Sequence, residues 1–319
     1  MKELAQASFN NLKTLSLDKF EIRDDDSSST LHVSNKSINH VDMQIICKMF
    51  SNGVVLKNLT EFRISDISSN TFGNEAMEAF ANALSKGALI NLEWLGLDGK
   101  TIGDKGMKTF AKAISKGALN NLQKLWLNGG EIGNEGMKAL ADALSNGALN
   151  KLNILCMDCN TIGDEGMKAL AGALTNGALD NFKKLSLRYN KIGDEGVVEL
   201  ADALSKGGFQ KLEELHLAAN NIGDVSVAAL AEVLSNGFLN KLTRFDLDRN
   251  HIGDEGMVAL ADALSKGALN NLTHVDLDRN YIGNKGIKAL ADVLSNSAMD
   301  RVKVSAHCTC QSLNPRPPS

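Results

Sequence analysis

The sequence predicts a right-handed, horseshoe-shaped α/β solenoid, with parallel strands along its concave face and helices along its convex face. Three observations carry that prediction. Ile102, Ile132, Ile162, Ile192, Ile222, Ile252 and Ile282 recur every 30 residues, with Phe72 one step upstream. Each is followed by glycine, from Gly73 to Gly283, and alanine recurs in phase from Ala81 to Ala291. Within each period, an apolar alternation of strand type gives way to an apolar spacing of helical type.

The unit spanning residues 242–271 shows why each element forms. Leu242, Phe245 and Leu247 begin with a short strand whose apolar members alternate at the end, as one buried face of a sheet requires. Asn250 follows at the bend, where its amide is expected to turn inward and satisfy backbone groups. Gly253 and Asp254 make the next turn, with Asp254 expected as the helix N-cap. Met257, Leu260, Ala261 and Leu264 then fall on one helical face. Gly267 is expected to end that helix in a left-handed conformation. Ala261 and its equivalents stay small so that helix and strand lie close together.

A single unit cannot bury enough apolar surface to offset its chain entropy, so neighbours must stack. Strands sit ~4.8 Å apart, whereas packed helices need ~8–10 Å. The stack therefore bends toward its strands.

The ends depart from the pattern. Leu12, Leu15, Leu17 and Ile22 read as a first strand unit, but Asp24 to Thr30 is a polar run where a helix is due. Leu31, Val33, Ile38, Met43, Ile46, Cys47 and Phe50 occupy the slots of the next unit. ISDISSN, from Ile64 to Asn70, reads as an insertion of about three residues after the following strand. The expected organisation is one solenoid over residues 1–311 with about ten strand units. Its regular repeats run from about 59 to 301, its irregular first units span 1–58, and residues 312–319 form a disordered tail holding all three prolines.

Composition narrows the function. Apolar residues make up 43% of the 319 while aromatics are 5%, so the core must be aliphatic. A formal charge of −4 with interspersed signs and no basic stripe argues against nucleic acid. No apolar run approaches the ~18 residues of a membrane helix. Five irregularly placed cysteines make no disulfide framework, and the N-terminus has no apolar leader, which together point to the reducing cytoplasm.

Catalytic and cofactor motifs fail on inspection. Gly99-Lys100-Thr101 resembles the end of a phosphate loop, but Trp94 stands where the first glycine is needed. Cys156 and Cys159 have redox spacing, yet they span a strand and its exit rather than a helix N-terminus. His307, Cys308 and Cys310 offer three zinc ligands where a structural site wants four. His216, His251 and His274 face no nucleophile in a matching slot. No catalytic residue, metal, cofactor or small-molecule substrate is expected.

The repeat LxxLxLxxNxIGDEGMxALAxALxxGAL resembles the ribonuclease-inhibitor type of leucine-rich repeat. That family includes ribonuclease inhibitors, the C-terminal halves of NOD-like receptors and Ran GTPase-activating proteins. The closest likeness is to the receptor repeat domains and their stand-alone relatives. The resemblance implies a non-catalytic scaffold that captures a protein, with regulation of a small GTPase as the alternative. Ran-type relatives carry a strongly acidic tail, whereas this chain ends in PRPPS, and no functional residue of theirs maps onto it.

Positions that vary between repeats are free to carry that function. Those pointing out from the strands form two clusters. Trp94, Trp126, Ile154 and Cys156 fall on adjacent strands and predict an apolar patch, with Tyr189 on the same surface. Arg244, Asp246, Asp248, Arg249, His251, His274, Asp276, Asp278, Arg279 and Tyr281 form a charged cluster expected to steer a protein partner or to pair internally.

Overall fold

The computed structural model describes residues 14–17, 20–23, 30–34, 47, 59–65, 74–98, 102–175, 181–267, 271–295 and 303–306. Among the described elements four strands come first, and from the fourth onward strands and helices alternate in chain order. They are β1 (Thr14–Leu17), β2 (Phe20–Arg23), β3 (Thr30–Ser34), β4 (Glu61–Ser65), α1 (Asn74–Ser85), β5 (Trp94–Asp98) and α2 (Gly103–Ile114). There follow β6 (Lys124–Trp126), α3 (Asn134–Ser145), β7 (Ile154–Cys156), α4 (Asp164–Thr175), β8 (Lys184–Ser186) and α5 (Asp194–Ser205). The series closes with β9 (Glu214–His216), α6 (Asp224–Ser235), β10 (Arg244–Asp246), α7 (Asp254–Ser265), β11 (His274–Asp276), α8 (Asn284–Leu294) and β12 (Lys303–Ser305).

Strands β3 to β12 form one ten-stranded parallel sheet in sequence order, the α/β solenoid that the repeat predicts. Register follows the repeat slot by slot, as in Leu185 opposite Leu155 and Leu215. Between β4 and β5 the offset grows, with Glu61 opposite Trp94, which accounts for the extra residues after β4. Ile64 and Ser65 nonetheless belong to β4, so the insertion starts later than the sequence suggested.

The first unit is different from its prediction. Residues Thr14–Leu17 pair antiparallel with Phe20–Arg23 in a separate two-stranded sheet. Ile22 is therefore opposite Leu15 in a hairpin and marks no repeat turn. Only two residues, Asp18 and Lys19, separate the strands, a loop length that favours a hairpin over a crossover. Leu12, Asp24 to Ser29, Ile38, Met43, Ile46, Phe50, Phe72 and Gly99 to Thr101 lie outside the described residues, as do His307, Cys308, Cys310 and the proline tail.

The repeats from α1 to α7 bury the predicted face, whereas in α8, at the end of the stack, Leu290 is buried, Ile287 and Leu294 are half-buried and Ala291 is exposed. In α7, Met257, Leu260, Ala261 and Leu264 are buried, and so is Ala263, because helices close in from both sides. Cys47, helical and buried, joins the same core. The asparagine expectation holds through five repeats. Asn220 Nδ2 donates to the carbonyls of Leu187 (2.9 Å), Leu217 (3.0 Å) and Ala218 (3.3 Å), while its Oδ1 accepts from Ile192 N–H at 3.0 Å. In the repeat where Gly130 occupies this slot, its carbonyl accepts from Gly103 N–H instead, at 2.8 Å.

Asp254 corrects the sequence reading. It is the first residue of α7, and the capping position is Gly253, with no side-chain cap of its own. Asp254 Oδ1 reaches across to the next repeat and accepts from Gly283 N–H (2.9 Å) and Gly286 N–H (2.6 Å). Asp104, Asn134, Asp164 and Asp224 do the same for the helix that follows each. The starts of α3 to α8 are thus satisfied by the preceding helix, and where the acceptor is a carboxylate its charge at the positive end of a helix dipole adds to the stabilisation.

That reach explains the glycine two residues after the aspartate. A Cβ on Gly196 would sit 2.7 Å from Asp164 Oδ1 and 2.9 Å from Met167 Cβ. Where serine takes the place, at Ser226, its hydroxyl donates to Asp194 in lieu of the backbone. At the helix ends Gly267 is left-handed (φ +80°), as expected. Two residues beyond the equivalent glycines come left-handed leucines that the sequence does not announce, such as Leu149 (φ +53°), fully buried. That conformation costs about 1–2 kcal/mol, which burying a leucine side chain, worth about 1.5–3 kcal/mol, offsets.

Candidate functional site

Because β4 to β8 are in register, the outward slots of neighbouring strands adjoin. Trp94 faces Lys124, Lys124 faces Ile154, and Trp126 lies between Gly96 and Cys156. The two indoles meet edge to face, with centroids 5.0 Å apart, a geometry that aligns the positive ring edge with the negative ring face. Trp94, Trp126 and Ile154 are each half-buried. Cys156 is buried, 7% exposed, and so lines the patch from beneath instead of presenting surface. Burial, reinforced by the charge of Asp158, pushes its thiol up to about 12, which keeps it protonated at neutral pH.

Two cations belong to this patch and were not singled out in the sequence. The Arg63 guanidinium lies 4.1 Å from the Trp94 ring centroid and the Lys124 ammonium 4.5 Å from it. Arg63 is ion-paired with Glu61 at 2.5 Å. Lys124 pairs with no carboxylate among the described residues. The Nε1 atoms of Trp94 and Trp126 are shielded from solvent and have no hydrogen-bond partner among the described residues.

The charged cluster is largely paired within itself. Asp248, buried, accepts two hydrogen bonds from Arg279 (2.8 and 2.6 Å) and lies 3.8 Å from Arg249. Asp246 pairs with Arg188 at 2.7 Å. Arg249 also reaches Tyr189 Oη at 3.4 Å, across the gap left by Ala219. His251 stacks on Tyr281 with centroids 5.6 Å apart, and His274 Nδ1 lies 2.9 Å from Thr273 Oγ1. Asp278 N–H donates to Asp276 at 3.1 Å. Burial, followed by the charges of Asp246, Asp278 and Asp248, raises Asp276 above the usual carboxylate range. Tyr189 and Tyr281 are exposed.

At the centre sits His216, whose imidazole is buried. Arg188 Nη2 donates to its Nδ1 at 2.7 Å, because a guanidinium has no acceptor to offer. Nε2–H then donates to Glu214 at 2.9 Å, and Lys184 donates to the same carboxylate at 2.7 Å. Burial alone would raise Glu214, but the hydrogen bonds from His216 and Lys184 outweigh it and bring the carboxyl to about 2. A carboxyl depressed on folding stabilises the fold above its unfolded value, and that contribution fades as pH falls toward about 2. Glu214 is therefore expected to remain ionised at pH 3 when followed by carboxyl-selective NMR, and titration near 4.5 would show the network broken. Arg188, His216, Arg244, Asp246, His274 and Asp276 line a hollow of about 190 Å³ beside it.

Among the described residues no group of three or more His, Cys, Asp or Glu side chains could hold a metal ion. Nor is any described helix long and apolar enough to cross a membrane.

A family model described as Leucine Rich repeat matches residues 118–141, 148–171, 180–201, 210–231, 238–261 and 268–291. Similar solved structures include an internalin from Listeria monocytogenes, 19% identical with a TM-score of 0.41, covering 88% of this chain and 87% of that one. Another is a plant ice-binding protein, 18% identical with a TM-score of 0.44, covering 80% of this chain and 65% of that one. No curated protein matches the chain. Six matched repeats, each coinciding with a strand of the sheet and the first turns of the helix that follows it, identify residues 118–291 as a run of leucine-rich repeats.

Proposed function

We propose that the chain is a scaffold that binds a protein partner on its concave face, centred on Trp94 and Trp126. Leucine-rich-repeat proteins generally act as protein-interaction scaffolds without chemistry of their own. The observation that carries the choice of face is the tryptophan pair, half-buried and aimed out of the sheet while the aliphatic core closes beneath it. Aromatic anchors of this kind supply much of the affinity at protein interfaces. A rigid sheet surface pays little ordering cost on binding.

The charged cluster is assigned a secondary role. With Asp246 and Asp248 already paired to arginines, it sets orientation and on-rate more than affinity. A helix in every regular repeat supports the ribonuclease-inhibitor type among such repeats. Cys47, Cys156 and Cys159 are free thiols, which supports a cytoplasmic setting. No observation favours GTPase regulation over simple capture.

Affinity capture from lysate tests the reading, comparing the wild type with a Trp94→Ala/Trp126→Ala variant matched for thermal stability. A specific protein retained by the wild type and lost by the variant is expected. Retention by both would move the site off the tryptophan patch.

A further inference from the structure

We infer that the tryptophan patch recognises a carboxylate: the partner sets an Asp or Glu side chain on the Lys124 ammonium, with a flanking apolar residue against Trp126 and Ile154. This rests on the concave-face reading above and gives it a chemistry.

The patch is rich in donors and poor in acceptors. Trp94 is held between two cations, Arg63 at 4.1 Å and Lys124 at 4.5 Å from its centroid. Glu61 pairs with Arg63. Lys124 sits half-buried against an aromatic face and opposite Ile154, with no carboxylate pairing it among the described residues. Cation–π attraction holds the ammonium in place without neutralising it. A charge already partly stripped of water pairs with an incoming carboxylate more strongly than an exposed lysine does, because the local dielectric is low.

Gly96 shapes the same site. A Cβ there would lie 3.2 Å from Arg63 Cγ, so the missing side chain lets Arg63 lie across the sheet beside Trp94. The flanking apolar residue is supplied with a floor by Trp126 and Ile154, on the neighbouring strands. Lys184, the next cation along this slot, is already paired to Glu214 at 2.7 Å, whereas Lys124 meets no carboxylate among the described residues.

A nucleic-acid strand would also present anions, but the surroundings disfavour it. Asp98 and Asp158 occupy adjoining slots of the same face, on β5 and just past β7, and would repel a continuous run of phosphates. One carboxylate reaching Lys124 avoids both.

The chain contains only two tryptophans, and both are here, so its intrinsic fluorescence reads this site alone. The intact chain is titrated with a short capped peptide bearing one Glu beside a Leu, the same peptide with Lys in place of Glu, and an oligouridylate, at low and high salt. A saturable emission change with the Glu peptide, weakened by salt and absent with the Lys peptide, is expected. Lys124→Glu should shift the midpoint about tenfold or more, while Lys105→Glu on the convex side leaves it unchanged. Silence toward the Glu peptide, an equal response in Lys124→Glu, or a preference for oligouridylate overturns the proposal. Silence here together with loss of a captured protein in the tryptophan double variant would remove only the carboxylate chemistry. Silence in both experiments would remove the concave-face reading as well.

Discussion

Replacing Asn220 by alanine lowers the stability of the chain by about 2–4 kcal/mol, since four hydrogen bonds go at once and Ile192 N–H is left with no acceptor, while the three carbonyls keep a second donor each in Asn190 Nδ2, Asn250 Nδ2 and Tyr189 N–H. The carbonyls of Leu187, Leu217 and Ala218 lose a donor, and Ile192 N–H loses an acceptor. Asn220 is 5% exposed, so bulk water does not reach these groups without opening the bend. Two of the four belong to the preceding repeat, so the damage falls on the joint as well as on the turn. Urea denaturation followed by circular dichroism should show a lower midpoint and, because repeats couple chiefly to their neighbours, a transition broadened or split in two. A loss below about 1 kcal/mol would mean that the bend is held by its backbone alone.

Gly196→Val should cost about 3 kcal/mol or more, at the upper end for overpacking. Its Cβ would fall 2.7 Å from Asp164 Oδ1 and 3.0 Å from Asp164 Cα, so the obstacle includes main chain and cannot swing aside. The hydrogen bond from Gly196 N–H to Asp164, 3.0 Å, is lost with the same displacement. Gly196→Ser provides the contrast. Ser226 already occupies this slot one repeat later and donates its hydroxyl to Asp194, so serine at 196 should lose less than half as much. Equal losses for valine and serine would show that the space itself, and not the missing donor, decides the outcome.

The repeat made the fold legible because its signals are local or strictly periodic. Leu215, Asn220, Met257 and Gly267 each declare strand, bend, helix face or helix end from their own neighbourhood. What escaped depends on residues about thirty positions away. Asp254 looks like a cap for the helix it begins, and only stacking shows that its partners are Gly283 and Gly286. Leu149 gives no sign of its left-handed backbone, because burial and not propensity holds it there. The Thr14 to Arg23 hairpin has the spacing of a repeat strand, and its two-residue loop was the signal that distinguished it.

The site was legible in the same uneven way. Trp94 and Trp126 could be placed side by side from slot arithmetic, since both point outward on consecutive strands. Arg63 and Lys124 occupy outward slots too, but a cation resting on an aromatic face is a matter of side-chain direction that a repeat alignment does not carry. Likewise the sequence showed that Asp248 and Arg279 share a surface, yet not that each is the other's partner.

The aspartate that reaches forward to the next helix has a consequence for how such a gene changes length. Five of the joints are made in the same way at the same spacing, from Asp104, Asn134, Asp164, Asp224 or Asp254 to a pair of glycine amides. Loss or duplication of one whole 30-residue segment brings a donor and an acceptor of identical form face to face at the new junction. A cut of any other size leaves an aspartate addressing the wrong backbone. Unequal crossing-over would therefore yield viable shorter and longer alleles only in whole-repeat steps, with the Asp194–Ser226 junction as the one whose two sides are not interchangeable with the rest.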